Sequence, residues 1–221
     1  MSTLVEDRPM SYIAERRQEE KDRRRLEIVD AADSLYAESG WDAVTMDQVA
    51  RRARLSRALV YVYFRDKGDL LFALVERSLE QLRERFIVAQ RGHARGVEEV
   101  EAIGYAYLEF SRELPHYFDA CSRFQAHRSG CVEPHPNEIA CMVAGHRVHE
   151  VIVASLNRGV ADGSIRKDLG DPYVTALSLW AFSHGLIQIA ATKGGQIEHE
   201  GTPVQAFIDH AIGLALRSLR P

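Results

Sequence analysis

Three cysteines, Cys121, Cys131 and Cys141, and five of the nine histidines, His116, His127, His135, His146 and His149, fall within thirty-four residues of a 221-residue chain. Thiolates and imidazoles ligate zinc and serve as redox-reactive groups, so this stretch is the first place to look for chemistry. On a helix, His146, His149 and Glu150 would share one face. Yet the cysteines stand ten residues apart and no C-x2-C pair occurs, so no zinc-ligand spacing is met. Buried cysteines packing as small hydrophobes, beside solvent-facing histidines, account for the same residues. No metal site is therefore expected, and metal or thiol sensing is kept as an alternative. The chain also lacks a G-x-S-x-G elbow, a Gly-rich phosphate loop ending in Lys-Ser/Thr and an H-E-x-x-H pair, so neither a catalytic residue nor a cofactor is expected.

A second cluster carries different chemistry. Thr45 stands where a helix N-cap belongs, with Gln48 three residues on to complete a capping box, and Val49, Ala50 and Ala53 form a short apolar face. Ala53-Arg54-Leu55-Ser56 reads as a turn, and Ser56 can cap a second short helix, 57–64, whose Val60 and Phe64 share one side. The other side presents Arg57, Ala58, Tyr61 and Val62: a guanidinium, a phenol and small apolar surfaces that suit a thymine methyl. Two short helices with such an outward face fit a major groove.

The stretch resembles the DNA-binding domain of the TetR (AcrR-like) family of helix-turn-helix transcriptional regulators. The family pattern is met in one register by Gly40, Trp41, Thr45, Val49, Ala50, Tyr61, Tyr63, Phe64, Lys67 and Leu70. The chain departs from it at Arg54, where the turn usually carries Gly, and at Arg57-Ala58-Leu59, which replace a usual Lys-Gly-Thr. The resemblance implies an all-α chain, with a three-helix domain at 20–67 and a six-helix ligand-binding and dimerisation domain at 68–221. It implies a homodimer on a palindromic double-stranded DNA operator, acting as a repressor that a small hydrophobic effector releases. Thr45, Arg54, Ser56, Arg57, Ala58, Tyr61, Val62, Tyr63 and Lys67 are then the expected DNA-binding set, with Thr45 holding a phosphate. A helical ligand-binding protein that no longer binds DNA is the alternative from another class.

Charge distribution agrees with that division. The net charge is −4, but residues 8–67 hold thirteen Lys/Arg against eleven Asp/Glu, whereas 68–221 hold fifteen against nineteen. Much of the basic excess lies in Arg16, Arg17, Lys21, Arg23, Arg24 and Arg25, which either track a phosphate backbone or pair along their own helix. No run of eighteen apolar residues suggests a membrane span, and the N-terminus lacks the apolar core of a signal peptide, so a cytoplasmic protein is expected.

Helical periodicity and punctuation supply the remaining elements. A first helix carries Leu26, Val29, Ala32, Leu35 and Tyr36 and stops at Gly40. Asp66 can cap a fourth helix reaching about Gln90, and helices follow at about 97–113, 115–127 and 136–162. Asp171-Pro172 and Thr202-Pro203 are start signals for helices at about 172–193 and 203–219. These last two are apolar around more than one face, and Leu177, Ala181, Phe207, Ile208, Ala211 and Ile212 are the expected dimer interface. An apolar effector pocket is expected from Tyr105, Tyr107, Phe110, Phe118, Phe124, Met142, Trp180 and His184, a set with aromatic bulk and a few polar tips.

Overall fold

The computed structural model of the chain describes residues 8–126 and 135–221. Among them every regular element is helical: α1 (Arg8–Ser39), a 3-10 turn (Trp41–Ala43), α2 (Met46–Arg52), α3 (Arg57–Tyr63), α4 (Lys67–Ala89), α5 (Gly96–Glu113), α6 (Pro115–Ala126), α7 (Pro136–Asp162), α8 (Pro172–His199) and α9 (Val204–Leu219). The chain divides into two compact units, and the division falls inside α4, between Leu74 and Val75.

In the first unit, Ile28, Val29, Ala32, Leu35 and Tyr36 of α1 pack with Val49, Ala50, Val60 and Phe64, all buried. Leu26, read as part of that stripe, is exposed, because packing along α1 begins at Ile28. Gly40 has φ 76°, a left-handed value that frees the chain to turn after α1. The turn drops Trp41 into the core, with its ring 5.3 Å from Tyr36. Asp66 Oδ1 accepts from the Asp69 amide at 2.8 Å, while Asp69 Oδ2 accepts from the Arg65 amide at 3.0 Å, so the start of α4 is capped in both directions.

The second unit is a bundle in which α5 packs on α7, and α8 packs on α7 and α9. Gly96, at the start of α5, lies against the backbone of Gly159 in α7: a Cβ on Gly96 would stand 2.1 Å from the Gly159 nitrogen. Asp162 closes the same junction. Its Oδ2 accepts from the Gly96 amide at 2.7 Å and its Oδ1 from the Ser164 amide at 2.8 Å, and hydrogen bonding by the Ser164 side chain, then by these amides, lowers its pKa. Beside them Glu99 is fully buried, accepts from Ser155 Oγ at 2.8 Å and pairs with Arg158. A buried carboxylate is tolerated only when it is hydrogen-bonded and paired in this way.

Two helix limits differ from expectation. Helix α8 runs on to His199, through Gly194-Gly195, and Gly194 leaves room for Val204 Cγ2, 3.2 Å from where its Cβ would stand. Thr202 does not cap α9. Its amide donates to Ile197 O at 3.2 Å and that of Gly201 to Glu198 O at 2.9 Å, which closes α8 with Gly201 left-handed at φ 88°. Pro203 is left as the N-cap of α9 with no side-chain bond. Helices α7 and α8 are each long and apolar enough to cross a membrane by length and composition alone, which a search for an unbroken apolar run misses.

Candidate nucleic-acid interface and ligand cavity

The helix-turn-helix is built by three local devices. Thr45 Oγ1 accepts from the Gln48 amide at 3.3 Å, and Gln48 Oε1 accepts from the Thr45 amide at 2.8 Å, a complete capping box that contributes about 1 kcal/mol. The Thr45 hydroxyl also donates to Gln48 Oε1 at 2.9 Å, so it is engaged in the cap. Next, the end of α2 closes with the Leu55 amide on Ala50 O at 2.9 Å and the Arg54 amide on Arg51 O at 3.1 Å. That pattern places Arg54 at the left-handed position, and its φ is 57°. Ser56 then caps α3 through the Leu59 amide at 3.2 Å.

Val60 and Phe64 anchor α3 to the core, and Arg57, Ala58, Tyr61 and Val62 are left exposed, Val62 at 76%. Arg57 is already oriented. Its Nε lies 3.1 Å from Asp47 Oδ1 and its guanidinium 5.5 Å above the Tyr61 ring, and hydrogen bonding to Tyr61, then the Asp47 charge, raise its pKa. An exposed, solvent-screened pair of this kind contributes little, so Arg57 can exchange Asp47 for another acceptor at little cost. Lys67 also makes contacts within its own unit. Its ammonium sits 5.0 Å from the Trp41 ring centre and donates to Asp42 O at 3.3 Å, so it braces the core as well as carrying charge. Tyr63 is half-buried, whereas Arg54 and Ser56 are exposed. Along α1, Arg23 and Arg24 both pair with Glu20 and Glu27, the helical pairing that was one of the two readings of the basic arm.

Because Arg54 holds a conformation that glycine adopts without penalty, Arg54→Gly should stabilise the protein by about 1 kcal/mol in denaturant unfolding. Unchanged stability would mean that the side chain offsets its own strain.

The second unit encloses an apolar cavity between α4, α5, α7, α8 and α9, with about 50 Å³ of space, room for a few water molecules. Tyr107 and Trp180 line it, together with Phe86, Glu101, Gly104 and Phe182. His184 lies behind Tyr107. Its Nδ1 is 2.7 Å from the Tyr107 hydroxyl and its Nε2 3.1 Å from Ser122 Oγ, which itself donates to Phe118 O at 2.9 Å. Since Ser122 has spent its proton, Nε2 must donate to it, and Nδ1 accepts from Tyr107. Burial lowers the His184 pKa and pushes that of the Tyr107 phenol well up, so this chain of bonds is held neutral.

The other expected pocket residues lie elsewhere. Phe110 is fully buried in the core, and Met142 is 55% exposed on a surface groove with His146 and Tyr173. Tyr105 reaches out to donate to Asp209 Oδ1 at 3.2 Å. Phe118 lines a separate groove with Ile187 and Ile208, and half-buried Phe124 is outside the cavity wall. Periodicity located these aromatic faces but not the rotation of each helix. Glu101 and Gly104 escaped notice, although a glycine inside a helix next to aromatic residues was a usable signal.

The described cysteines and histidines of the 116–149 stretch do not come together as one group. His127 and Cys131 lie outside the described residues, and among the described residues no three His, Cys, Asp or Glu side chains converge as a metal set. Burial pushes the Cys121 thiol up to about 11 and raises that of Cys141, which disfavours the reactive thiolate in both. His146 faces Glu150 at 3.5 Å on the surface, whereas His149 is buried against Trp180 and its Nδ1 bonds Gly145 O at 2.8 Å.

Of the residues expected at a dimer interface, Leu177 is 41% exposed and Ala181 is exposed. Phe207 is half-buried, and Ile208 and Ala211 are buried within the chain itself. Ile212 forms part of the cavity wall. Helix α9 thus turns its Ile208 and Ala211 side inward, so those two are core residues of one chain.

Comparison with known proteins places both units. Residues 28–74 match the family described as bacterial regulatory proteins, tetR family, and residues 100–214 match the tetracyclin repressor-like C-terminal domain. The regulator HbdR of Aromatoleum sp. (strain CIB) is 34% identical over 84 residues, 38% of this chain and 37% of that protein. BetI of Rhizobium meliloti (strain 1021) is 39% identical over 80 residues, 36% of this chain and 39% of that one. The matches thus span well under half the length of either relative. Among solved structures, a Rhodococcus sp. RHA1 protein of unknown function superposes with TM-score 0.70 at 24% identity, covering 90% of this chain and 95% of that one. FadR of Bacillus subtilis in complex with stearoyl-CoA superposes with TM-score 0.65 at 15% identity, covering 88% and 99%. These likenesses show the fold. Because the second family match alone takes in more than half of the residues, the chain belongs to the TetR family of transcriptional regulators.

Proposed function

We propose that the chain is a homodimeric repressor that binds a palindromic DNA operator from the cytoplasm and is released when a small hydrophobic effector enters the cavity of the second unit. The observation that carries the DNA half is the exposed face of α3, on which Arg57, Tyr61 and Val62 stand clear of a core anchored by Val60 and Phe64. A guanidinium beside apolar atoms suits guanine edges and thymine methyls in the major groove. The expected DNA set of Thr45, Arg54, Ser56, Arg57, Ala58, Tyr61, Val62, Tyr63 and Lys67 is kept in this proposal, with Arg57 and Tyr61 reading bases and Lys67 acting on phosphate.

The effector half rests on the cavity. Its present size admits a few waters, so a larger ligand requires side chains of the wall to move, and burying apolar ligand surface, at about 25 cal/mol per Å², drives that opening. Support also comes from the neighbour solved with stearoyl-CoA, which shares the fold.

Selection from randomised DNA should enrich an inverted repeat. Arg57→Ala should then cost roughly 1–3 kcal/mol and relax the base preference, whereas Lys67→Ala should weaken all sequences alike and lower the salt slope by about 1. Enrichment of no palindrome would overturn the operator reading.

A further inference from the structure

Of the side chains that line the cavity, Glu101 alone carries a charge, and it has no hydrogen-bond or ion-pair partner among the described residues. The other carboxylates near this end of α5 are engaged. Glu99 is satisfied by Ser155 and Arg158, and Asp209 accepts from Tyr105 at 3.2 Å and from Gln205 at 2.8 Å. Around the same cavity stand four aromatic rings, Phe86, Tyr107, Trp180 and Phe182. Gly104, one turn along α5 from Glu101, lines the same cavity, and a Cβ there would meet no atom within 4 Å. A glycine in the middle of a helix costs stability, so this opening is maintained against helix propensity.

The three kinds of ligand charge meet this arrangement differently. A neutral apolar molecule closing the cavity strips water from Glu101 and returns nothing to it. An anion adds repulsion in a site of low dielectric. A cation pairs with the carboxylate while its charge rests on the negative faces of the rings. We infer that the cavity selects an organic monocation, an amine or quaternary ammonium on an apolar body, with Glu101 as its counter-charge and Trp180 as part of its aromatic wall. This rests on the reading of the cavity as the effector site and names the effector's chemical class.

Three probes of similar shape test it on the full-length protein by calorimetry: benzyltrimethylammonium, its uncharged carbon analogue neopentylbenzene, and the anion 3-phenylpropanoate. The cation should bind at least tenfold more tightly than the neutral analogue, and the anion most weakly. Glu101→Gln should bring the cation and the neutral compound to equal affinity, and Gly104→Leu should exclude both. The ratio in the unmodified protein decides on its own, so a poorly folding variant does not rescue the idea. Equal binding of cation and neutral analogue, both lost in Gly104→Leu, would overturn the charge inference and leave the effector cavity standing. Binding of none of the three would overturn both.

Discussion

Gly96→Ala should lower the stability of the second unit by about 3 kcal/mol, the upper end of the overpacking range. The reason is geometric. The new Cβ would stand 2.1 Å from the Gly159 nitrogen, 2.5 Å from its Cα and 2.5 Å from Ser155 O, all backbone atoms that cannot rotate away. The start of α5 would have to lift from α7, stretching the Asp162 bond to the Gly96 amide and unsettling the burial of Glu99 beside it. For a domain of this size, a loss of about 3 kcal/mol corresponds to roughly 6–12 °C in melting temperature. Gly104→Ala on the same helix is the control. Its Cβ meets open space, so the gain in helix propensity should raise stability by up to about 1 kcal/mol. Two glycine substitutions eight residues apart should therefore move thermal unfolding in opposite directions. Equal effects would show that the approach of α5 to α7 is not as close as described.

That contrast also shows how far the sequence was legible. What depends on neighbours in the chain could be read: the Thr45–Gln48 capping box, the Ser56 and Asp171 caps and the turn at Ala53–Ser56 are all present. These devices act within a few residues, so residue type and spacing determine them. What depends on how a helix is rotated in the bundle could not be read. Ile208, Ala211 and Ile212 were assigned to an interface because α9 is apolar on several sides, and only packing shows that the first two fill the core and the third lines the cavity. Met142 and Phe110 went astray for the same reason, one to the surface and the other to the core. Gly96 carried no signal at all, since the partner that requires it, Gly159, is distant in sequence and close only in space. Thr202 carries the residue type of a helix start, but its amide serves the end of α8.

Leu177→Glu should convert the proposed homodimer to a monomer and reduce operator affinity by about 10²–10⁴-fold, the loss expected when two half-sites no longer bind together. The choice of residue follows from burial. In the most apolar eighteen-residue stretch of α8 only 22% of the residues are buried within the chain, and Val174, Leu177, Phe182 and Ile189 remain exposed, with Leu214 of α9 exposed as well. So much uncovered apolar surface exceeds what a solvent-facing helix ordinarily shows and calls for a matching surface. A second copy supplies one by symmetry, because in a two-fold interface each patch meets its own equivalent and each substitution is felt twice. At 41% exposure, Leu177 can become Glu without charging the core of its own chain, so the fold should survive while an unpaired carboxylate is forced into the desolvated interface. Ile208→Glu should instead unfold the unit, since that side chain is 1% exposed. Sedimentation at micromolar concentration distinguishes these outcomes, with the Leu177→Glu chain expected at its single-chain mass of 24.9 kDa and a melting temperature near that of the unmodified protein. An unmodified chain that sediments as a monomer at that concentration and still binds its operator tightly would rule out the dimer.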